Sequence, residues 1–205
     1  RALHPAWEVR LWTDKTARRL IRSEYPWLAE AYDGFDVNVK RADLVRYLVL
    51  HRFGGLAVDL DLEALRPIDG LLPLRPGQGD EKPVAVAEHD VQPGFLSIGF
   101  MFSALPGHPL WWHLAKEVQR LWRADPRLYV IQATGNALLT SLAASSAFQA
   151  DVQRVPRGVV FPIPYTHKLT RMARRCRAEA AWCAERFPRA HAVHHAEHSW
   201  AAEDE

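Results

Sequence analysis

The stretch RYLVLHRFGGLAVDLDLEAL, Arg46 to Leu65, constrains the fold more than any other part of the chain. It continues a helical pattern that begins upstream at RADLV, with apolar residues on most faces, so this helix is expected to be well buried. Gly54-Gly55 ends it, because glycine takes the left-handed conformation of a helix C-terminus at little cost. LAVDLDL then reads as a strand. Alternate side chains of a strand face opposite ways, so Leu56, Val58, Leu60 and Leu62 share one face and Ala57, Asp59, Asp61 and Glu63 the other. Asp59 and Asp61 would then project together, about 6.6–6.8 Å apart along the backbone. Two like charges so placed disfavour ionising both, unless a cation stands with them. Hard carboxylate oxygens suit Mn²⁺, Mg²⁺ or Ca²⁺, and such an ion often bridges to substrate phosphates. The alternative is a pair of solvated acids, or acids paired with Arg52 or Arg66.

The rest of the chain alternates α and β patterns. WEVRLWT reads as a short strand, and DKTARRLIRSEY as a helix with Asp14 at its cap. PVAVAEH and FLSIGFMFSA are strands, the first continuous enough to be central. HPLWWHLAKEVQRLWR and GNALLTSLAASSAF are helices, and Pro-broken VVFPIPY belongs to a sheet edge or a loop. RPGQGDEKP is a surface loop. Strands alternating with helices favour a three-layer α/β domain, expected to take in all of residues 1–205. The carboxyl end of a strand in such a sheet opens onto the usual ligand crevice. Glu88, His89 and Asp90 end the central strand, so they reach the same crevice, either as a solvated strand end or as ligand contacts.

Aliphatic and aromatic residues make up 48% of the chain, which is globular composition, and the net charge of +2 gives no case for a nucleic-acid partner. No apolar run approaches the roughly 18 residues of a membrane span. Arg1 is not a natural start, so the chain is expected to be a fragment, a processed product or a trimmed chain, which leaves room for a removed anchor or targeting segment. HKLTRMARRCRAEA is strongly basic, either as a solvated helix face or as a surface for an anionic acceptor or membrane. Cys176 and Cys183 on one continuous helix would lie roughly 10 Å apart, too far to bridge, so a disulfide requires a break between them.

The stretch from Arg41 to Asp69 resembles the central motif of the glycosyltransferases with a DXD sugar-binding region, a group that includes yeast-type initiating α-mannosyltransferases and inositol phosphoceramide mannosyltransferases. The match runs through Asp43, Arg46, Tyr47, Gly54, Gly55, Asp59, Asp61 and Pro67. HPAWEVRLWTD, GFMFSALPGHPLW, ATGNALLTS and HHAEHSW extend it weakly over nearly the whole chain. Ala57 stands where the family often has Tyr, and Ile98 where it often has Asn. The resemblance implies a GT-A-like fold, with a mixed central sheet flanked by helices and a first strand upstream of Arg1. It implies transfer of a hexose, with retention, from a UDP- or GDP-sugar to a glycan, glycolipid or protein acceptor. Asp61 is then the direct metal ligand, and Asp59 shares the ion or meets the donor ribose. Asp43 accepts from sugar hydroxyls, and Arg46 braces it or meets a phosphate. Tyr47, Gly54, Gly55 and Ser199 belong to the donor site, His194 or His195 completes the metal site, and Trp200 closes over the diphosphate. Glu88 and Asp90 join Asp59 and Asp61 as catalytic candidates, with Glu88, His89 and Asp90 binding the acceptor or stabilising the sugar cation. A Mg²⁺-dependent phosphohydrolase and a non-catalytic sugar-binding relative are the alternatives.

Overall fold

The computed structural model describes residues 2–73, 83–164, 166 and 170–195. Helix α1 (Asp14–Glu24) is capped by Thr13 and not by Asp14: Thr13 Oγ1 accepts from Thr16 N at 3.3 Å, and Thr16 Oγ1 accepts from Thr13 N at 2.8 Å. Asp14 instead occupies the first turn, where a negative charge meets the positive end of the helix. A 3-10 turn at Pro26–Leu28 and the short α2 (Ala29–Gly34) lead into α3 (Asn38–Phe53). Tyr47, Leu44, Leu48 and Leu50 of α3 are fully buried, as the apolar run implied. Gly54 and Gly55 stop it at φ 67° and 83°.

The first sheet has the order β1-β4-β3-β5, built from β1 (Gly55–Val58), β3 (Val84–Glu88), β4 (Leu96–Ser103) and β5 (Val152–Val155). β4 runs antiparallel to both neighbours and β5 parallel to β3, so β1, β3 and β5 share a direction and end at the same edge. A separate pair joins β2 (Leu62–Ala64) to β6 (Ala192–His194), antiparallel. Between β4 and β5 come α4 (Pro109–Ala124), α5 (Val130–Ala133) and α6 (Asn136–Ala143). After β5 come α7 (Arg157–Val160), α8 (Arg171–Ala178) and α9 (Ala180–Arg186).

Strand alternation divides the core. Val84, Val86 and Met101 pack among the apolar faces of α1, α3, α4 and α6. Ala85, Ala87, Phe100 and Phe102 pack the other way, with Val160, Phe161 and Ala192. The result is a mixed α/β architecture with helices against a mixed sheet.

Two further expectations are corrected, and two open readings are decided. Residues 7–13 form no strand: Val9 and Leu11 are exposed, and a strand requires a partner that none of the described residues supplies. In VVFPIPY, Val159 and Val160 end α7 and residues 161–164 are irregular chain, as the loop alternative had it. LAVDLDL is not one strand but two, with a turn at Leu60-Asp61 closed by Leu62 N donating to Asp59 O at 3.2 Å. Leu60 therefore leaves the apolar face and is 89% exposed. The break that a disulfide requires is present: the helix stops at Glu179 (φ −136°, ψ 81°) between α8 and α9, and Cys176 and Cys183 are bonded with Cα atoms 4.7 Å apart.

Candidate active site

The turn after β1 sets the geometry. Asp59 N donates to Gly99 O at 3.1 Å, which holds the end of β1 against β4. β2 then leaves the first sheet to pair with β6, and Leu62 lies opposite His194. That pairing brings His194 Nε2 to 3.0 Å from Asp61 Oδ1 and 3.4 Å from Asp59 Oδ2. Asp59, Asp61 and His194 each offer one atom, all within 4.8 Å of one another, a donor set that can hold a divalent cation. The turn achieves what a straight strand would not, since it folds two carboxylates around one imidazole. Phe161 backs His194 edge-on, with ring centroids 5.5 Å apart.

The charges are strongly coupled. Burial disfavours the His194 imidazolium, but the hydrogen bonds and charges of Asp59 and Asp61 outweigh it and raise its pKa to about 9. Burial likewise opposes ionisation of Asp59, yet His194 and Arg46 hold its carboxyl below the usual range. Arg46 pairs with Asp59 Oδ1 and donates to Ile98 O at 3.0 Å. The site therefore uses the backbone of Ile98, and Ile98 N is itself fixed by Asn136 Oδ1 at 2.9 Å.

Asp43 lies one helical turn before Arg46 and is 1% exposed. Its Oδ2 accepts from Thr134 Oγ1 at 2.8 Å, while its Oδ1 is buried without a hydrogen-bond partner among the described residues. Burial pushes its pKa up to about 6, against the opposing pull of Arg46 and Thr134. Tyr47 donates to Thr134 O at 2.6 Å and stacks on Trp111, so α3 is locked to the α5–α6 turn beside Asp43.

Other predicted residues fall elsewhere. His195 Nε2 faces Glu63 Oε2 at 3.0 Å, while its N–H donates to Asp61 O at 3.0 Å. Gly54 and Gly55 sit at the opening end of β1, about 13 Å of extended chain before Asp59, so they shape the helix stop and not the carboxylate cluster. Glu88 ends β3 at the same sheet edge as Asp59, with β4 between, about 10 Å across two strand spacings. Asp90 is buried beside His89, whose Nδ1 accepts from Val91 N and Gln92 N. Ser199 and Trp200 lie outside the described residues.

Two contributors escaped the sequence reading. Thr134 holds Asp43 from a turn far along the chain. Gly99 leaves room for Asp59: a Cβ there would stand 2.5 Å from Asp59 Oδ2. Thr134 lies in ATGNALLTS and Gly99 opens GFMFSALPGHPLW, segments that the resemblance took in without giving either residue a role.

Comparison with known proteins bears on the same residues. The model of the glycosyltransferase sugar-binding region containing the DXD motif matches residues 1–77. Inositol phosphoceramide mannosyltransferase 3 of Schizosaccharomyces pombe is 46% identical over 70 residues, covering 34% of this chain and 20% of the relative. Inositol phosphoceramide mannosyltransferase 2 of the same organism is 34% identical over 137 residues, covering 65% of this chain and 36% of the relative. A mannosyl phosphorylinositol ceramide synthase of Saccharomyces cerevisiae is 29% identical over 141 residues, covering 67% and 34%. The chain thus spans between a fifth and somewhat over a third of these relatives. No solved structure matches it. The region that carries Asp43, Arg46, Asp59 and Asp61 is thus similar to the sugar-binding region of the DXD-containing glycosyltransferases.

Proposed function

We propose that the chain is the catalytic part of a metal-dependent hexosyltransferase that uses a nucleoside-diphosphate sugar, with residues 1–205 forming one GT-A-like domain. The observation that carries this reading is the convergence of Asp59, Asp61 and His194 beside the buried, half-satisfied carboxylate of Asp43. The donor set fits Mn²⁺ first and Mg²⁺ second, since an imidazole joins two hard carboxylates. When bound, the ion supplies charge stabilisation for the departing diphosphate.

The chain's own residues do the rest. Asp43 Oδ1, orphaned in the core, accepts from a donor-sugar hydroxyl, and Thr134 and Tyr47 fix its position. Arg46 keeps Asp59 ionised and anchored to β4. Glu88 and Asp90, at the same sheet edge, face the acceptor side. The acceptor hydroxyl adds to the anomeric carbon as the nucleoside diphosphate leaves, with retention of configuration. The names of the relatives put mannose first as the sugar and an inositol-phosphate sphingolipid first as the acceptor. A phosphohydrolase fits less well, because it needs Asp59 as a free nucleophile, whereas both its oxygens are engaged by Arg46 and His194.

A thermal-shift panel of GDP, UDP and their hexose conjugates, with and without Mn²⁺, tests the reading. A ligand that binds the folded state raises Tm. A nucleotide sugar is expected to raise it strongly only with Mn²⁺. Metal-independent shifts, or none with any nucleotide, would overturn the assignment.

A further inference from the structure

A cationic surface on α8 and α9 stands beside this site. α8 turns Cys176 inward, where it packs with Cys183, Val193 and Ile163. On the opposite side Arg171, Arg174 and Arg175 form an exposed stripe. α9 and the turn after it add exposed Arg186 and Arg189. Between residues 170 and 190 six arginines face two acids, Glu179 and Glu185.

A merely solvated helix commonly alternates its charges. Here Arg171 stands three and four residues from Arg174 and Arg175, spacings at which like charges oppose helix formation. α8 has only eight residues, below the roughly 12–15 that an isolated helix requires. The disulfide to α9 nevertheless holds this short, self-repelling helix in place. Arg175 pairs with Glu179 at 3.3 Å, so the array rests on Arg171, Arg174, Arg186 and Arg189, which an extended anion would complement. The stripe is the outward side of a helix, so it suits a broad anionic surface and not a single enclosed phosphate.

A second observation gives that surface an apolar layer. Arg177, on the flank of α8, donates to His195 O at 2.8 Å, and His195 N donates to Asp61 O at 3.0 Å. The helix is therefore two hydrogen bonds from the turn that presents Leu60, 89% exposed. Trp182 lies under Arg175, with the guanidinium 4.4 Å from the ring centroid, a pairing suited to the polar boundary of a membrane. None of the described helices is long and apolar enough to cross a membrane, so this contact would be peripheral.

We propose that the outward face of α8 and α9, together with Leu60, docks the chain on an anionic lipid bilayer. The dock adjoins the metal cluster, so acceptors embedded in that bilayer would be presented beside it. The test is sedimentation of the whole chain with phosphatidylcholine vesicles, with and without phosphatidylserine, at low and physiological salt. Binding is expected only with phosphatidylserine, and salt should weaken it. Arg171→Gln with Arg174→Gln should lower partitioning about 25-fold, roughly fivefold per arginine. The Tm should be kept, because the change relieves repulsion. Leu60→Ser should lower partitioning without altering the salt dependence. Equal binding to neutral vesicles, no binding at low salt, or full competition by soluble inositol phosphate would overturn the proposal. Vesicle binding is read without any donor, so it can fail or succeed independently of transfer.

Discussion

His194 Nε2 stands 3.0 Å from Asp61 Oδ1, and the strand pair that joins them is three residues long on each side. So short a ladder needs support. Leu65 N and Arg66 N both donate to His191 O, and the Arg66 guanidinium binds the carbonyls of Ala184, Phe187 and Ala190. The third candidate ligand is thus held by the end of α9 as well as by its own strand.

Removing a ligand separates this cluster from an ordinary charge network. Asp61→Asn or His194→Ala should weaken Mn²⁺ binding by at least about 100-fold, the upper range seen even for outer-shell losses. Folding should persist, and Asp61→Asn should leave the metal-free protein near its original Tm. Calorimetric titration with Mn²⁺ alone checks this, and unchanged affinity in either variant removes that residue from the site.

Metal binding should release a proton. With a pKa of about 9, His194 is protonated at neutral pH in the metal-free protein, whereas a metal ligand must be neutral. Mn²⁺ affinity should then rise about tenfold per pH unit below that value. Titrations in buffers of different ionisation enthalpy should count about one proton released per ion. A flat pH profile would mean that His194 stays outside the coordination shell.

Asp43 carries a pH-dependent cost. Its folded pKa of about 6 lies above the ordinary 3.8, so the folded state binds the proton more tightly. The cost is absent below about pH 4 and grows as pH rises through 6, reaching about 3 kcal/mol at about 1.4 kcal/mol per unit. Asp43→Asn removes the titration. Relative to wild type, the variant should gain about 3 kcal/mol between pH 4 and 7 in urea unfolding, while losing donor-sugar binding. Parallel pH profiles for the two proteins would show that the carboxylate pays no such penalty.

Gly99→Ala tests the fit of Asp59 against β4. The new Cβ would crowd Asp59 Oδ2 at 2.5 Å and Ser97 Oγ at 3.3 Å. Displacing Asp59 should cost about 1–3 kcal/mol of stability and weaken Mn²⁺ binding. Wild-type values of both would mean that Asp59 has room to move without consequence.

Much of this arrangement was legible before folding. The apolar run of α3, its Gly54-Gly55 stop and the strands β3 and β4 followed from periodicity and glycine conformation. Asp59 and Asp61 do converge, but through a turn and not along one strand face, because alternation holds only along one continuous ladder. β2 leaves that ladder to pair with β6, a partner distant in sequence. Leu60 reads as strand interior for the same reason and ends at a turn tip. The disulfide was hidden because Glu179, neither Gly nor Pro, breaks the helix. Thr134 meets Asp43 across a long separation, and such contacts leave no local pattern.

The most direct test of the central claim is nucleoside diphosphate release from GDP-mannose and other GDP- and UDP-hexoses, measured with and without Mn²⁺ in the wild-type chain and in Asp61→Asn. Mn²⁺-dependent release with one donor, lost in the variant while its fold persists, is the predicted result. Release that ignores both Mn²⁺ and Asp61, or cleavage of generic phosphate esters in place of nucleotide sugars, would contradict the account.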